Sequence, residues 1–495
     1  MRKFGKFLIP AGLFLLAFGS RLFSLIHVGG LLAVLGYDDG VYYSAANGLI
    51  HGQLPYRDFI LVHPPGILVL LSPFALIGRL FGDSNGLIAT RIVFMLIGSV
   101  TTVLIYYIGK RLSLIAGLFA GLTYAIWYPA IIVERTSYLE AVGLFAIAFS
   151  LFLLQKDAVT RRDFFLSGLV LGLATATKLW FAIPLIVIFL WLLLRRKIEG
   201  ACLLAISSAI SFLSICGYFW FKAGTKFLHL VLFAQLNRST ATGSHLGRLQ
   251  KIFNLEIFNF TSISKSQLLL AVLLTAPVLL LILAKPKEYK YTLIWLSIFI
   301  IQLIVILTTP TFFQSYSSFI APSLALLIGS ISYSLSRLFS GKMFIRKIIL
   351  LSLVIPITLL GWQGINNEIG EGNPPLVFLR DVVTNQKCVA ADSPVILVIS
   401  NSLSRDLNQD CKVIFDVNGT IYGVTEPPGS NLLSATQRRK HSTEYQSELV
   451  RYFEDSDLFI LKRLSADGLA RNSLLSLENK KLIERQNGFT VYLHK

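Results

Sequence analysis

Long apolar runs, punctuated by short basic loops, constrain this chain more than any other feature. Runs of about 18 to 22 apolar residues are each long enough to cross a bilayer as a helix, and lipid leaves a spanning segment few other forms. Hydrophobic residues make up 54% of the 495 positions and charged residues only 15%, a balance that no soluble domain of this size sustains. Eleven spans fit length and charge: 6–29, 87–109, 112–132, 138–155, 164–177, 179–194, 200–221, 267–284, 291–308, 314–335 and 347–364. The shortest need tilt or local thinning of the bilayer.

Charge sets the orientation. With Arg2 and Lys3 in the cytoplasm, counting crossings places Lys110–Arg111, Lys156 with Arg161–Arg162, Arg195–Arg196–Lys197, Lys285 with Lys287, and Arg337 to Lys347 all on the inside. The same bias accounts for most of the net charge of +18. No basic stripe with interleaved aromatics or nucleic-acid motif is present, so nucleic acid is not an expected partner. The first 18 residues resemble a signal peptide, but residues 19–26 continue the apolar stretch with no small-residue cleavage site, which favours a retained span.

The outer face then holds a loop over 30–86, a second loop over 222–266 and a tail over 366–495. Gly66–Phe81 is apolar enough to be read as a span. Were it to cross, every later basic loop would invert, so it is read as an interfacial helix opened by Pro64–Pro65. The domains are therefore 1–365 in the membrane, with 30–86 as its first outer loop, and 366–495 outside. The tail alternates short β-rich runs at 394–400, 412–417, 458–461 and 490–493 with helical patterns at 444–453 and 473–484, which suggests a small α/β domain. It carries no nucleophile elbow, glycine-rich phosphate loop or zinc spacing. Of four cysteines, Cys202 and Cys216 sit in an apolar span as packing residues, whereas Cys388 and Cys411 can form a disulfide if the tail is extracytoplasmic.

The polar chemistry gathers in YDDGVYYSAANGLIHGQLPYRDFILVHPP, residues 37–65. Asp38 and Asp39 admit two readings. A carboxylate beside a low-dielectric surface can be tuned to take a proton from a hydroxyl, or the pair can simply mark the start of a helix, whose N-terminus favours acids. Tyr42, Tyr43, Tyr56, Arg57, Asp58 and His63 crowd the same loop. Aromatics with hydrogen-bonding edges suit sugars and headgroups, although tyrosine also anchors proteins at interfaces. His51 and His63 could bind a divalent metal with the aspartates, but they lack the tight spacing of metal ligands, so no metal and no other cofactor is expected to be required. Arg135 and Arg238 are further outer-face cations, able to meet either a donor phosphate or lipid headgroups. The sequons at Asn237, Asn259 and Asn418 have meaning only in a secretory pathway.

DDGVYYSAANGLIHGQLPYRDF followed by PPG resembles the first extracytoplasmic loop of the C-type glycosyltransferases. These are polytopic enzymes that use polyprenyl-phosphate sugars, among them protein O-mannosyltransferases, the lipid A aminoarabinose transferase and rhizobial lipopolysaccharide core transferases. Asp38, Asp39, Tyr42, Gly52, Pro64 and Pro65 match that family's order of acidic pair, tyrosine, glycine and prolines. The resemblance implies Asp38 as catalytic base with Asp39 as helper. ERTSYLEAVGLFAIAFSLFLL looks like the family's helix with an acid at its outer end, here Glu140 where Asp is more usual. LGLATATKLWFAIPL resembles a helix pair broken by a lysine, and the charge-based topology independently places Lys178 at the outer surface. There an ammonium could hold the donor phosphate, or merely snorkel at a helix end. SYSSFIAPSLALLIG is similar to a later family helix, with Tyr316 and Pro322 in matching places.

The expected fold is thus an all-α polytopic bundle with a small C-terminal extracytoplasmic α/β domain. The expected activity is inverting transfer of a sugar from a polyprenyl phosphate to a lipid, glycan or protein acceptor at the outer face of the plasma membrane. Tyr42, Tyr56, His63, Glu140 and Tyr316 would line the substrate site, and Lys178, Arg135 and Arg238 would meet the phosphate. A transporter or flippase would instead place ionisable groups at the bilayer midplane on paired, broken helices, and a scaffold would need no carboxylate chemistry.

Overall fold

The computed structural model describes residues 5–236, 238, 245–253, 289–338, 355, 358–368, 373–424, 433–462, 468–478 and 480–493. The expected spans that fall within these residues coincide with helices or broken helices. α1 covers Gly5–His27, α4 Asp83–Lys110, α7 Leu139–Leu154, α8 Arg161–Thr177 and α10 Ile198–Ala223. Tyr289–Thr308 is also helical, while the expected spans 267–284 and much of 347–364 lie outside the described residues. Among the described residues, five helices are long and apolar enough to cross a membrane, or up to six if a bent pair is one span. In that pair α5, Leu114–Ile126, meets α6, Tyr128–Glu134, at 58°. Pro129, in the first turn of α6, lacks the amide that would continue the ladder.

The chain forms two compact units, each assembled from three stretches. The first comprises Met1–Ser24, Val93–Leu213 and Thr242–Glu368, and the second Leu25–Ile92, Ser214–Ala241 and Ile369–Lys495.

The first unit is helix on helix. The helix Ala321–Leu338 packs along α5, and α7 along α8. Tyr124, Phe181, Trp295 and Phe319 sit in its apolar core. Two of its buried charged groups, Glu134 and Arg135, are paired. Glu134 accepts from Arg21 and, at 2.6 Å, from the hydroxyl of Tyr124. Arg135 Nη1 donates to Glu368 Oε2 at 2.6 Å and to the Ser24 carbonyl at 3.2 Å.

The second unit joins Leu25–Ile92 and Ser214–Ala241 to the tail. α2, Tyr37–Ile50, packs on α3, Gly66–Phe81, and the short helix Pro394–Ile399 packs on α2. The tail carries a four-stranded sheet in the order β1-β2-β4-β3. β1, Val389–Ala391, runs parallel to β2, Leu458–Leu461, with Val389 opposite Leu458. β4, Phe489–Leu493, runs antiparallel to both β2 and β3, Lys481–Gln486. Asn487 and Gly488, with φ of 48° and 80°, close the β3–β4 hairpin as the twist of paired strands prefers.

Three expectations for the tail need correction. Residues 394–399 are helical, because Ser393 and Pro394 open a helix and six apolar residues carry no period of their own. No strand covers 412–417. The run 473–484 is divided: a helix ends at Glu478 and β3 begins at Lys481. Cys388 and Cys411 are bonded, their Cα atoms 5.6 Å apart, so the bond ties the start of β1 to the end of the helix Leu403–Asn408 rather than to a second strand.

Candidate active site

Within the second unit, Asp38 and Asp39 lie in the first turn of α2, where the helix dipole favours acids. Their environments differ. Asp39 is fully buried and paired with Arg91 of α4, whose Nε reaches Asp39 Oδ2 at 3.0 Å. The same guanidinium donates to the carbonyls of Leu31 at 2.7 Å and Ala33 at 3.1 Å, which fixes the approach to the helix. Asp38 is half-buried. Asp39 is thereby an anchor for the turn, and Asp38 is the member of the pair with access to solvent.

Tyr42 lies one turn beyond Asp38, on the same helix face. Its ring meets His63 edge-on, with centroids 6.1 Å apart. The backbone around His63 is held from two sides. The Tyr56 hydroxyl donates to the His63 carbonyl at 2.6 Å, and the Gln235 amide donates to the Val62 carbonyl. Tyr56 is buried and has φ of 67°, a left-handed conformation that tyrosine rarely adopts unless its surroundings enforce it. The adjacent turn is closed by Asp58, which accepts from Leu54 N at 2.7 Å and from Arg57 Nε at 2.8 Å. The Arg57 hydrogen bond holds the Asp58 carboxyl below its ordinary range. The acidic pair, Tyr42, Tyr56 and His63 therefore belong to one locally braced assembly.

Farther along α2, Asn47 donates to Asp83 Oδ1 and to Ser404 Oγ, both at 2.9 Å. Asp83 in turn accepts from Ser404 N at 2.9 Å. Arg238 lies within electrostatic reach of Asp416 in the same unit.

In the first unit Lys178 ends α8 in an extended conformation, and a 3₁₀ turn, Leu179–Phe181, precedes α9, Ala182–Leu194. Its ammonium is buried, 2.6 Å from Glu140 Oε1. It also lies 4.3 Å from the ring centre of Tyr316 and 4.7 Å from that of Trp180. A carboxylate and two aromatic faces make a cation seat. A snorkelling lysine would extend towards water, whereas this one is enclosed. Glu140, Lys178 and Tyr316 are thus one cluster, and Trp180, which the sequence did not single out, completes it. Arg135 is paired with Glu368 instead of facing outward, an outcome set by an acid 233 positions away. No group of three or more His, Cys, Asp or Glu side chains that could hold a metal occurs among the described residues.

Residues 62–220 match the family described as dolichyl-phosphate-mannose-protein mannosyltransferase. The match covers about a third of the chain, so it is a likeness of that segment to the family. Its fold is similar to that of ArnT from Cupriavidus metallidurans bound to undecaprenyl phosphate, at 13% identity and a TM-score of 0.58, with 97% of each chain covered. The apo state of that protein gives 12% identity and a TM-score of 0.54, covering 99% of this chain and 98% of that one. An Archaeoglobus fulgidus oligosaccharyltransferase tethered to an acceptor peptide gives 10% identity and a TM-score of 0.53, covering 91% of this chain and 68% of that one. No curated protein matches the chain by sequence.

Proposed function

We propose that the protein transfers a sugar from a polyprenyl phosphate to a glycan, lipid or protein acceptor at the outer face of the plasma membrane, with inversion. Asp38 takes the proton of the acceptor hydroxyl as the anomeric carbon leaves phosphate. Lys178 neutralises the charge that develops on the departing phosphate, a role suited to a cation on a fixed seat. Tyr42, Tyr56 and His63 shape the surroundings of the base, and Tyr316 with Trp180 walls the ammonium. Arg135 is left to its pair with Glu368, and Arg238 is a secondary candidate for an anionic group. The observation that carries the reading is the contrast within the acidic pair: Asp39 is neutralised by Arg91, while Asp38 keeps access to solvent. The similarity to a protein solved with undecaprenyl phosphate supports the donor class.

Deletion of the gene is expected to lower the mass of one cell-surface glycan by one sugar residue. The wild-type chain should restore that mass and Asp38→Asn should not. A flippase would leave the donor accumulating on the inner face, and a scaffold would be restored by Asp38→Asn.

The basic loops and the Cys388–Cys411 bond support an extracytoplasmic tail. A periplasmic alkaline phosphatase fused after residue 368 should be active. A cytoplasmic tail would give an inactive fusion and would make Gly66–Phe81 the first segment to reassign as a crossing. Loss of the disulfide should destabilise the tail by about 3 kcal/mol through loop closure, read from the melting of a Cys388→Ser, Cys411→Ser variant.

A further inference from the structure

The turn that carries Asp38 has no side-chain cap. Gly36 precedes α2 and offers no oxygen to the first amides. An uncapped first turn frays, and a base on a fraying turn would be poorly aimed. Two neighbouring side chains supply the missing restraint. Asp39 is held by Arg91. Tyr37 is held by the tail: its hydroxyl donates to Asp416 Oδ1 at 3.1 Å and accepts from Asn418 N at 2.9 Å. Asp416 is itself fixed by Gly419 N at 2.7 Å. Residues 37 and 39 leave a helix about 200° apart, with residue 38 between them. The tail also lies close along the rest of α2. A Cβ on Gly40 would collide with the backbone of Val395, and one on Gly48 with the ring of Phe415.

We infer that Tyr37 and Asp416 are positioning residues for the transfer reaction, forming a strut by which the tail aims Asp38. The inference rests on the assignment of Asp38 as base. Tyr37 packs its ring against the tail core, so the hydroxyl can be removed while the packing stays. The tail is then part of the catalytic apparatus, restraining through the Tyr37 side chain a first turn that has no N-cap side chain.

The test uses the full-length protein returned to the deletion strain at matched membrane levels. The readouts are the rate of glycan-mass restoration after induction, affinity for undecaprenyl phosphate, and hydrogen exchange of amides 37–41 in the purified protein. Tyr37→Phe and Asp416→Ala should each slow restoration at least tenfold, leave affinity for undecaprenyl phosphate within twofold, and raise exchange at 37–41 at least tenfold. β2 and β4 should remain protected. Asp416→Asn retains an acceptor oxygen for Tyr37 and should recover to within threefold of wild type. The double variant Tyr37→Phe, Asp416→Ala should be no worse than the poorer single one, because both remove the same bond. Wild-type restoration by Tyr37→Phe overturns the strut, as does an Asp416→Asn variant no better than Asp416→Ala. Should Asp416→Ala fail to reach the membrane, Tyr37→Phe decides alone. Asp38→Asn is measured alongside. If it is inactive while Tyr37→Phe is normal, only the strut falls. If it restores at the wild-type rate, the base assignment falls and the strut's catalytic role with it.

Discussion

The two charged centres are built on opposite plans. In the second unit the acidic pair is fixed by directional hydrogen bonds: Arg91 grips Asp39 and two carbonyls, and Tyr37 is tied to Asp416 and Asn418. In the first unit Lys178 is held by a single carboxylate and two aromatic faces. A base must be aimed at one proton, and hydrogen bonds supply direction. An ammonium that meets a phosphate must exchange one anion for another, and aromatic faces hold a cation without competing as hydrogen-bond acceptors of comparable strength. Under the roles proposed for Asp38 and Lys178, rigid aim and exchangeable pairing are different demands, and the two clusters would meet them with different chemistry.

The sharpest break in this comparison is a buried carboxylate that loses its guanidinium. Arg91→Met would remove the paired cation from the buried Asp39 carboxylate and the donor from the Leu31 and Ala33 carbonyls. Breaking a buried pair from one side costs about 3–5 kcal/mol, so the melting temperature of the detergent-purified protein should fall well below that of wild type. Unchanged melting would mean that the approach to α2 is held by something other than Arg91. Asp38→Asn makes the opposite pattern: folding intact, turnover down about a hundredfold or more. Asp39→Asn keeps an acceptor for Arg91 and should lose less activity than Asp38→Asn. Equal losses would make the pair, not Asp38, the functional unit.

How far the sequence revealed these centres depends on whether the partner is near in sequence. Asp38, Tyr42 and the prolines opening α3 are legible because one turn of helix or one turn type links them. Lys178 is legible because it interrupts apolar residues, and a charge between two apolar helices needs a reason. Arg91, Glu134 and Glu368 are not legible, since each is one ionisable residue within or beside an apolar run whose partner lies 52, 113 and 233 positions away. Arg135 therefore looked like an outward-facing cation. The tail failed differently. A strand and a buried helix of six residues share the same apolar pattern, which misassigned 394–399. Asn487–Gly488 is a hairpin signal in the sequence itself, and it places a strand, not a helix, before residue 487.

Smaller effects sharpen the other half of the comparison. Lys178→Met keeps the aliphatic stem between Trp180 and Tyr316 and deletes the charge. A hydrogen bond to a charged group contributes about 1.5–3 kcal/mol, so affinity for undecaprenyl phosphate should fall roughly tenfold or more. Equal affinity in wild type and variant, measured by calorimetry in nanodiscs, would assign Lys178 a structural role within its pair.

Glu140→Gln gives the smallest change and the most informative sign. Glu140 is the anion that occupies Lys178 in this structure, at 2.6 Å. If the carboxylate is a placeholder for phosphate, neutralising it removes a competitor, and undecaprenyl phosphate should bind several-fold more tightly. The same substitution leaves the buried ammonium facing only an amide and two rings, so the ligand-free protein should melt earlier than wild type. Adding undecaprenyl phosphate should then raise the melting temperature more in the variant than in wild type, because the ligand restores a full negative charge to the seat. The alternative is that Glu140 holds Lys178 in the orientation that phosphate needs. In that case the variant would bind the lipid phosphate more weakly, its melting shift would shrink, and the exchangeable-pair account of the first unit would be replaced by the rigid aim seen around Asp38.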